Sequence, residues 1–413
     1  MSIDRRTWHN RIQTFKAFRY PSYRLFWSSM AISAGGQRLC QSTQNWLVLE
    51  LTDSPFLLGV VGFCTQIPLL ILSMFAGAVA DRSDKRYLLA YTQIGYGVAV
   101  FSLAALALTG VITWQFVAIA ALIVGVSSAF WYPIRQAIVP EIVDHNDVMN
   151  AVALNSAGFY ISQAISAIAM GWLVAQIGIG GSFGISGGIF MISLALLLMM
   201  QFTTKPATIA QRMIWREVVD AFRYTRHHSV VLVLIVMVGV HSILGTGALV
   251  TLMPVFARDI LNVGVIGMGW LLSAQSWGSF LGTIVLASLG SFKQKGKLLI
   301  GALLCLGFAL IAFAISRHYA FSLGLLVIYG AASALFMSTL ITCLQLSVPD
   351  ELRGRIMGLY FLTSMGLATL GPLQAGWIAD VLGAPFAITI SGAINCVLAV
   401  VVVIKSASVR QLY

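Results

Sequence analysis

Gly77-Ala78-Val79-Ala80-Asp81-Arg82-Ser83-Asp84-Lys85-Arg86 places five charged residues at the junction of two long uncharged runs, 57–80 and 87–109. Runs of that length match the hydrocarbon core of a bilayer, which takes about 20 residues of helix to cross. The stretch therefore reads as a short charged turn between two membrane-spanning helices. The same alternation extends in both directions. Of 413 residues, 59% are AVILMFWYC and 9% are DEKR, and the mean hydropathy is +0.89. Soluble chains carry about 25% charged residues, so a soluble domain is excluded, as are a disordered chain, a collagen and a disulfide scaffold. The fold class is an all-α polytopic membrane protein. Twelve spans are predicted near 24–50, 57–80, 87–109, 114–138, 150–177, 182–202, 229–256, 266–290, 298–316, 320–347, 355–380 and 384–404.

Charge sets the direction of threading. Of 25 Lys and Arg, 22 fall in the termini and in alternate connections on one side, counting Arg135 at the edge of 136–149. The other side has Arg258 and Arg317, and Arg38 lies within a span. The positive-inside rule then makes both termini cytoplasmic, and the net charge of +11 is a topology signal rather than a nucleic-acid-binding face. Residues 1–23, with Trp8, Ile12, Phe15 and Phe18 at helical spacing among basic residues, suit an amphipathic segment on the inner membrane surface. No cleaved signal peptide is expected. The five cysteines lie in apolar runs without a CxxC pair, and read as small buried hydrophobes.

The longest connection, 203–228, carries the stripe Ile214, Val218 and Phe222 beside Arg212, Arg216 and Arg223. It reads as a linker with a surface helix between two six-span bundles, 24–202 and 229–404, leaving 405–413 as a tail. The halves also match each other. Gly171-Trp172-Leu173 with Gly178 recurs 205 residues on as Gly376-Trp377-Ile378 with Gly383. Val139-Pro140-Glu141 recurs as Val348-Pro349-Asp350, and Asp53 as Asp259. A shared displacement that preserves direction across the membrane is the parallel repeat of six-plus-six transporters.

Gly77 through Arg86 resembles the signature of the major facilitator superfamily, Gly-x-x-x-Asp-Arg-x-Gly-Arg-Arg, at the position that superfamily gives it. Asp84 stands in place of the second glycine and is expected to take the left-handed turn there. Phe18-Arg19-Tyr20-Pro21-Ser22-Tyr23-Arg24-Leu25, Trp46 through Ser54, and Val348-Pro349-Asp350-Glu351-Leu352-Arg353-Gly354-Arg355 resemble the bacterial drug and siderophore exporter branch, of the enterobactin-exporter and macrolide-efflux type. The chain departs from drug antiporters in two places. Residues 117–130 of span 4 lack the usual arginine, and span 5 has Gln163-Ala164-Ile165 where Gly-Pro is common, whereas Gly371-Pro372 occurs in span 11. The resemblance implies two rocking bundles and a central cavity. It also implies a cytoplasmic latch in which Asp81 meets the start of span 11 at Arg353 and Arg355, with Gly77, Arg82, Lys85 and Arg86 in the same motif.

Arg38 is the sharpest candidate, because a charge in mid-span costs roughly 3 kcal/mol or more. Gln41 and Asn45 share its face. Two readings are open: a contact for an anionic or oxygen-rich substrate group, or a structural arginine paired with carbonyls or with span 5. Gln66, Asn155, Gln163, Gln275 and Gln345 are further cavity candidates, each of which could equally bond another helix. Trp270 and Trp277 share a face of span 8, where they suit either an aromatic substrate or lipid. Glu50 and His241 are candidate proton sites, against a solvated carboxylate and a packing histidine.

No nucleotide-binding loop, nucleophile elbow or metal-spaced cluster appears, so no enzyme activity, cofactor or metal is expected. The expectation is a monomeric secondary transporter of the bacterial plasma (inner) membrane, in contact with lipids, exporting a small amphipathic or anionic molecule such as a siderophore or drug, with protons as coupling ion. The alternatives are an uptake permease of the same fold, or a lipid-translocating or non-transporting membrane protein.

Overall fold

The computed structural model describes residues 15–200, 214–289, 294–406 and 410; within helices, the side chains of 73, 74, 76–78, 80–82, 214–220 and 246 lie outside the description. The described chain is helical: α1 (Pro21–Thr52), α2 (Pro55–Arg82), α3 (Lys85–Leu108), α4 (Trp114–Ile142), α5 (Val148–Met199), α6 (Ile214–His227), α7 (Ser229–Leu244), α8 (Thr246–Val255), α9 (Gly264–Leu289), α10 (Lys295–Ile315), α11 (Tyr319–Leu346), α12 (Asp350–Ala368), α13 (Leu370–Leu382) and α14 (Ala384–Lys405). A helix satisfies its own backbone polar groups, which lipid cannot do. Nine stretches are long and apolar enough to cross a bilayer among the described residues. One of them is α5, which Gly178 (φ 73°) folds into two antiparallel spans. With the more polar α1 and the Gly- and Ser-rich α9, the spans number twelve. Span 7 is α7 and α8 with a π turn at Phe256–Ile260, and span 11 is α12 and α13.

The turns explain their sequences. Pro21 and Pro55 open their helices at the first turn, and Ser54 caps α2 by accepting from the Leu57 amide at 3.3 Å. Asp84 does not take the left-handed conformation expected of it. It is extended (φ −65°, ψ 111°) and caps α3, its carboxylate accepting from the Arg86 amide at 2.9 Å. An aspartate serves where glycine is usual because the turn needs an acceptor rather than a positive φ. The amphipathic segment expected over 1–23 lies outside the described residues as far as residue 14. From there Arg19 and Tyr20 bind Asp144 and Asp147, tying the start of α1 to the start of span 5.

The helices form two six-membered bundles with α6 between them in the chain. In the first, α1 runs against both arms of α5, and α2 and α3 pack on α4; in the second, α9 lies on α11, and α10 on α11 and α14. The repeated glycines mark where the bundles touch. A Cβ on Gly171 would stand 2.7 Å from the Val265 carbonyl, and one on Gly269 would stand 2.6 Å from that of Ala167, so span 5 crosses α9 backbone to backbone. The twin crossing is α2 on α13, where a Cβ on Gly59 would meet the Pro372 carbonyl at 2.6 Å and one on Gly376 that of Pro55 at 2.5 Å. Small residues permit this approach in membranes. Gly178 and Gly383 (φ 90°) close each repeat with the same positive φ.

Both crossings lie toward the end of the bundle remote from the termini, called the far end below. Polar contacts between the bundles add to them. The Arg258 guanidinium donates to Asp53 at 2.7 Å and to the Leu49 carbonyl at 3.3 Å, and the Asn45 amide donates to the Val250 carbonyl at 3.3 Å. Asp380 accepts from the Ser54 hydroxyl at 3.1 Å. The bundles are therefore joined at the far end by both helix crossings and polar contacts.

Candidate functional site

Arg38 lies midway along α1 and is 6% exposed. It opens onto a small polar pocket enclosed by the first bundle. Gln37, Gln41 and Gln44 share the α1 wall with it, at the spacing that brings one helix face together. Thr65 and Gln66 of α2, Tyr96 of α3, Ser128 and Tyr132 of α4, and Gln163 of span 5 add polar groups to the lining, and Cys40, Val124 and Phe190 complete it. The walls are fixed from behind. The Ser33 hydroxyl donates to Gln93 at 3.0 Å, Tyr96 bonds Ser128 at 2.8 Å, and the Tyr96 ring stacks on Phe190 with centroids 4.8 Å apart.

The electrostatics are one-sided. Gln37 Nε2, Arg38 Nε and Gln44 Nε2 are buried donors with no acceptor among the described residues. The ionisable neighbour within reach of Arg38 among the described residues is the Tyr132 phenol, not a carboxylate. A buried donor without a partner costs about 1–3 kcal/mol. Two such amide donors beside a guanidinium whose own Nε is unpartnered make a site that an oxygen-rich acceptor would stabilise.

Of the residues singled out from sequence, the structure brings Arg38, Gln41, Gln66 and Gln163 together around this pocket. The others lie elsewhere. Asn45 spends its amide on Val250 across the bundle interface. Asn155 is buried on span 5 and does not line the pocket. Gln275 is buried at the crossing of α9 and α11, where its backbone carbonyl abuts Gly330, and its side-chain Oε1 has no partner among the described residues. Gln345 is exposed at the end of α11, its carbonyl accepting from Arg353 at 3.3 Å. His241 is 2% exposed in the second bundle, with its ring edge-on to Phe336 at 5.0 Å and beside Asn395. Glu50 is exposed toward the far end and accepts from the Trp46 indole at 2.5 Å. Trp270 and Trp277 are both exposed.

For the latch motif, the side chains of Gly77, Asp81 and Arg82 lie outside the described residues. Lys85 is buried and ion-pairs with Glu141 at the end of α4. Arg86 donates to the carbonyls of Leu197 and Leu198, the last turn of α5, where a cation complements the helix dipole. Arg353 pairs with Asp350 on its own helix. Lys85 and Arg86 thus staple the ends of spans 3, 4 and 6 together.

Sequence reading missed Tyr96, Tyr132 and Arg135. Arg135 was placed at the edge of a connection, but it lies well inside α4, which runs on to Ile142 through Pro133 and Pro140. The signal was available: Trp131 and Tyr132 precede it by one turn, and aromatic residues at that spacing embed an arginine rather than solvate it.

The profile of the transmembrane secretion effector family, a branch of the major facilitator superfamily, matches residues 12–412. The chain is a member of that family. The chain is 25% identical to the staphyloferrin A transporter of Staphylococcus aureus, over 87% of its own length and 89% of the relative. It is 24% identical to the multidrug efflux pump Tap of Mycolicibacterium fortuitum, over 86% and 88%. Among solved structures, the nucleoside transporter NupG superposes with a TM-score of 0.74 at 13% identity, covering 92% of this chain and 99% of that one. That likeness establishes the major facilitator fold. As a member of its family, the chain is a multi-pass membrane transporter and not an enzyme.

Proposed function

We propose that this protein is a secondary active exporter of a small anionic or amphipathic molecule, such as a siderophore or a drug, in the plasma (inner) membrane of a bacterium, with both termini cytoplasmic. The carrying observation is the Arg38 pocket: a buried guanidinium without a carboxylate, ringed by amide and hydroxyl groups. Such a site receives an oxyanion. Export is supported by the efflux activity in the name of one relative. Cytoplasmic termini are supported by the excess of Lys and Arg on that side. The bundles work as one monomer by alternating access, and Asp81 with Arg353 and Arg355 forms the latch when the cytoplasmic side closes.

Protons are the proposed coupling ion. Of the two candidate sites, His241 suits the role better than Glu50. Coupling needs a group whose surroundings change between states, and His241 is buried with an open Nδ1, whereas Glu50 is solvated and already bonded.

Energised inside-out vesicles from cells overproducing the protein test this. Accumulation of an exported compound that collapses with a protonophore supports the reading. Accumulation only by right-side-out cells would establish an uptake permease instead. Comparing the medium of wild-type and deletion cells under iron limitation tests the siderophore arm, and an unchanged secreted profile removes it.

A further inference from the structure

Arg135 has no role in the pocket just described, yet it is built into the same bundle with care. It lies one helical turn beyond Tyr132 on α4, about 5 Å along the axis from the pocket wall. Its guanidinium carbon stands 5.0 Å from the Trp131 ring centre and 4.6 Å from that of Phe159, on the neighbouring span 5. A guanidinium held over ring faces keeps its N–H edges for other partners, and those edges fit a carboxylate or phosphate in a fork. Here the edges are not consumed. Nε is buried without an acceptor, and no ion pair reaches Arg135 among the described residues. The groups within electrostatic reach are the phenols of Tyr132 and Tyr160. Tyr132 is also within electrostatic reach of Arg38, so one phenol is shared by two cations that have no ion pair among the described residues.

A purely structural arginine would have taken a carbonyl or a carboxylate to offset its burial. Two cations without an ion pair among the described residues, one lining the pocket and the other a turn beyond its wall, also select against cargo. A cationic drug meets repulsion from both, and a monoanion answers only one.

We propose that Arg135 is a second oxyanion-binding residue, and that the transported molecule carries two acid groups, one for Arg38 and one for Arg135. The proposal rests on the reading of Arg38 as an anion contact and narrows its substrate class to dianions or polyanions. Loading would then run from the termini end inward, with the outer acid group held on the aromatic-backed arginine and the inner one on Arg38.

The test uses the purified full-length protein in lipid nanodiscs, with benzoate, terephthalate and citrate as probes of one, two and three carboxylates. Binding is read by calorimetry and by quenching of Trp131 fluorescence, identified through its loss in Trp131→Phe. Terephthalate or citrate should bind at least about tenfold more tightly than benzoate, the value of one charge-assisted bidentate contact. Arg135→Gln should remove that preference and leave benzoate affinity within about twofold of wild type. Arg135→Lys, which keeps the charge and loses the fork, should remove most of it. Arg38→Gln should weaken benzoate itself. Where Arg135→Gln lowers the yield of folded protein, the wild-type preference and the lysine variant carry the test. Equal affinity for one and two carboxylates, or an undiminished preference in both Arg135 variants, overturns the proposal and leaves Arg38 standing. Failure of wild type to bind any of the three anions overturns the anionic reading and the proposal with it.

Discussion

Arg38 is a charged residue placed where charge is expensive, and the protein offsets that cost only in part. Neutral donors and a phenol surround it, so the remaining stabilisation is available to cargo. Arg38→Ala is expected to reduce transport at least tenfold, the equivalent of about 1.4 kcal/mol or more of lost binding, while membrane abundance and melting temperature hold. Full transport by that variant would make the arginine structural. His241 allows a different prediction. If its imidazole takes the coupled proton, His241→Asn should abolish accumulation driven by a pH gradient while substrate equilibration continues, and Glu50→Gln should leave both intact. Vesicle uptake with and without an imposed gradient separates the two outcomes. At this scale the sequence was only partly informative. Arg38 and its stripe were plain, because a cation in an apolar run stands out. Asn45, Gln275 and Gln345 were indistinguishable from cavity residues, because a polar side chain on a membrane helix looks the same whether it faces cargo or a neighbouring carbonyl.

At the scale of the helix, the glycine crossings make the clearest claims. Gly171 and Gly376 meet backbone rather than flexible side chains, so added volume has nowhere to go. Gly171→Leu and Gly376→Leu should each force the far end apart. That end should then label with an impermeant thiol reagent at Asn45→Cys in a cysteine-free background, where the parent protein does not. Gly178 is different: a Cβ there meets open space, but φ is +73°. With ψ 178° the residue lies in a region open essentially to glycine alone, so Gly178→Ala should cost about 1–3 kcal/mol of local stability through backbone strain, read as a lower melting temperature with transport preserved. Most of this level was legible beforehand. The spans followed from apolar length, and the Gly-Trp repeat followed from comparing the halves. The 205-residue displacement did not reveal that the repeated glycine is a contact point, since periodicity carries no information about which face meets which partner. The breaks in spans 7 and 11 were marked only by local composition, Gly245 after His241-Ser242 and Gly371-Pro372, because apolar length alone runs through both.

For the whole molecule, the balance between its conformations depends on how firmly the far end is held. Arg258 and Asp53 link the bundles, but Asp53 is largely solvent-exposed and its pair is worth about 1 kcal/mol at most. Arg258→Ala is thus expected to shift the conformational equilibrium only about fivefold or less, measured by labelling at the far end or by double electron–electron resonance across the bundles. A complete switch to the opposite state would show that the ion pair, rather than the helix crossings, sets the balance. The placement of those crossings carries a mechanical consequence. Gly59 sits five residues from the start of α2, leaving 23 residues, or about 35 Å at the helical rise, on the other side of the contact. If the crossing serves as a fulcrum, α2 is a lever with very unequal arms. A tilt of roughly 10° that barely disturbs the glycine contact would sweep the opposite tip, near Arg82, through about 6 Å. Motion would thus be amplified where the signature turn lies, so the residues with which this chain was first recognised sit where the stroke is longest.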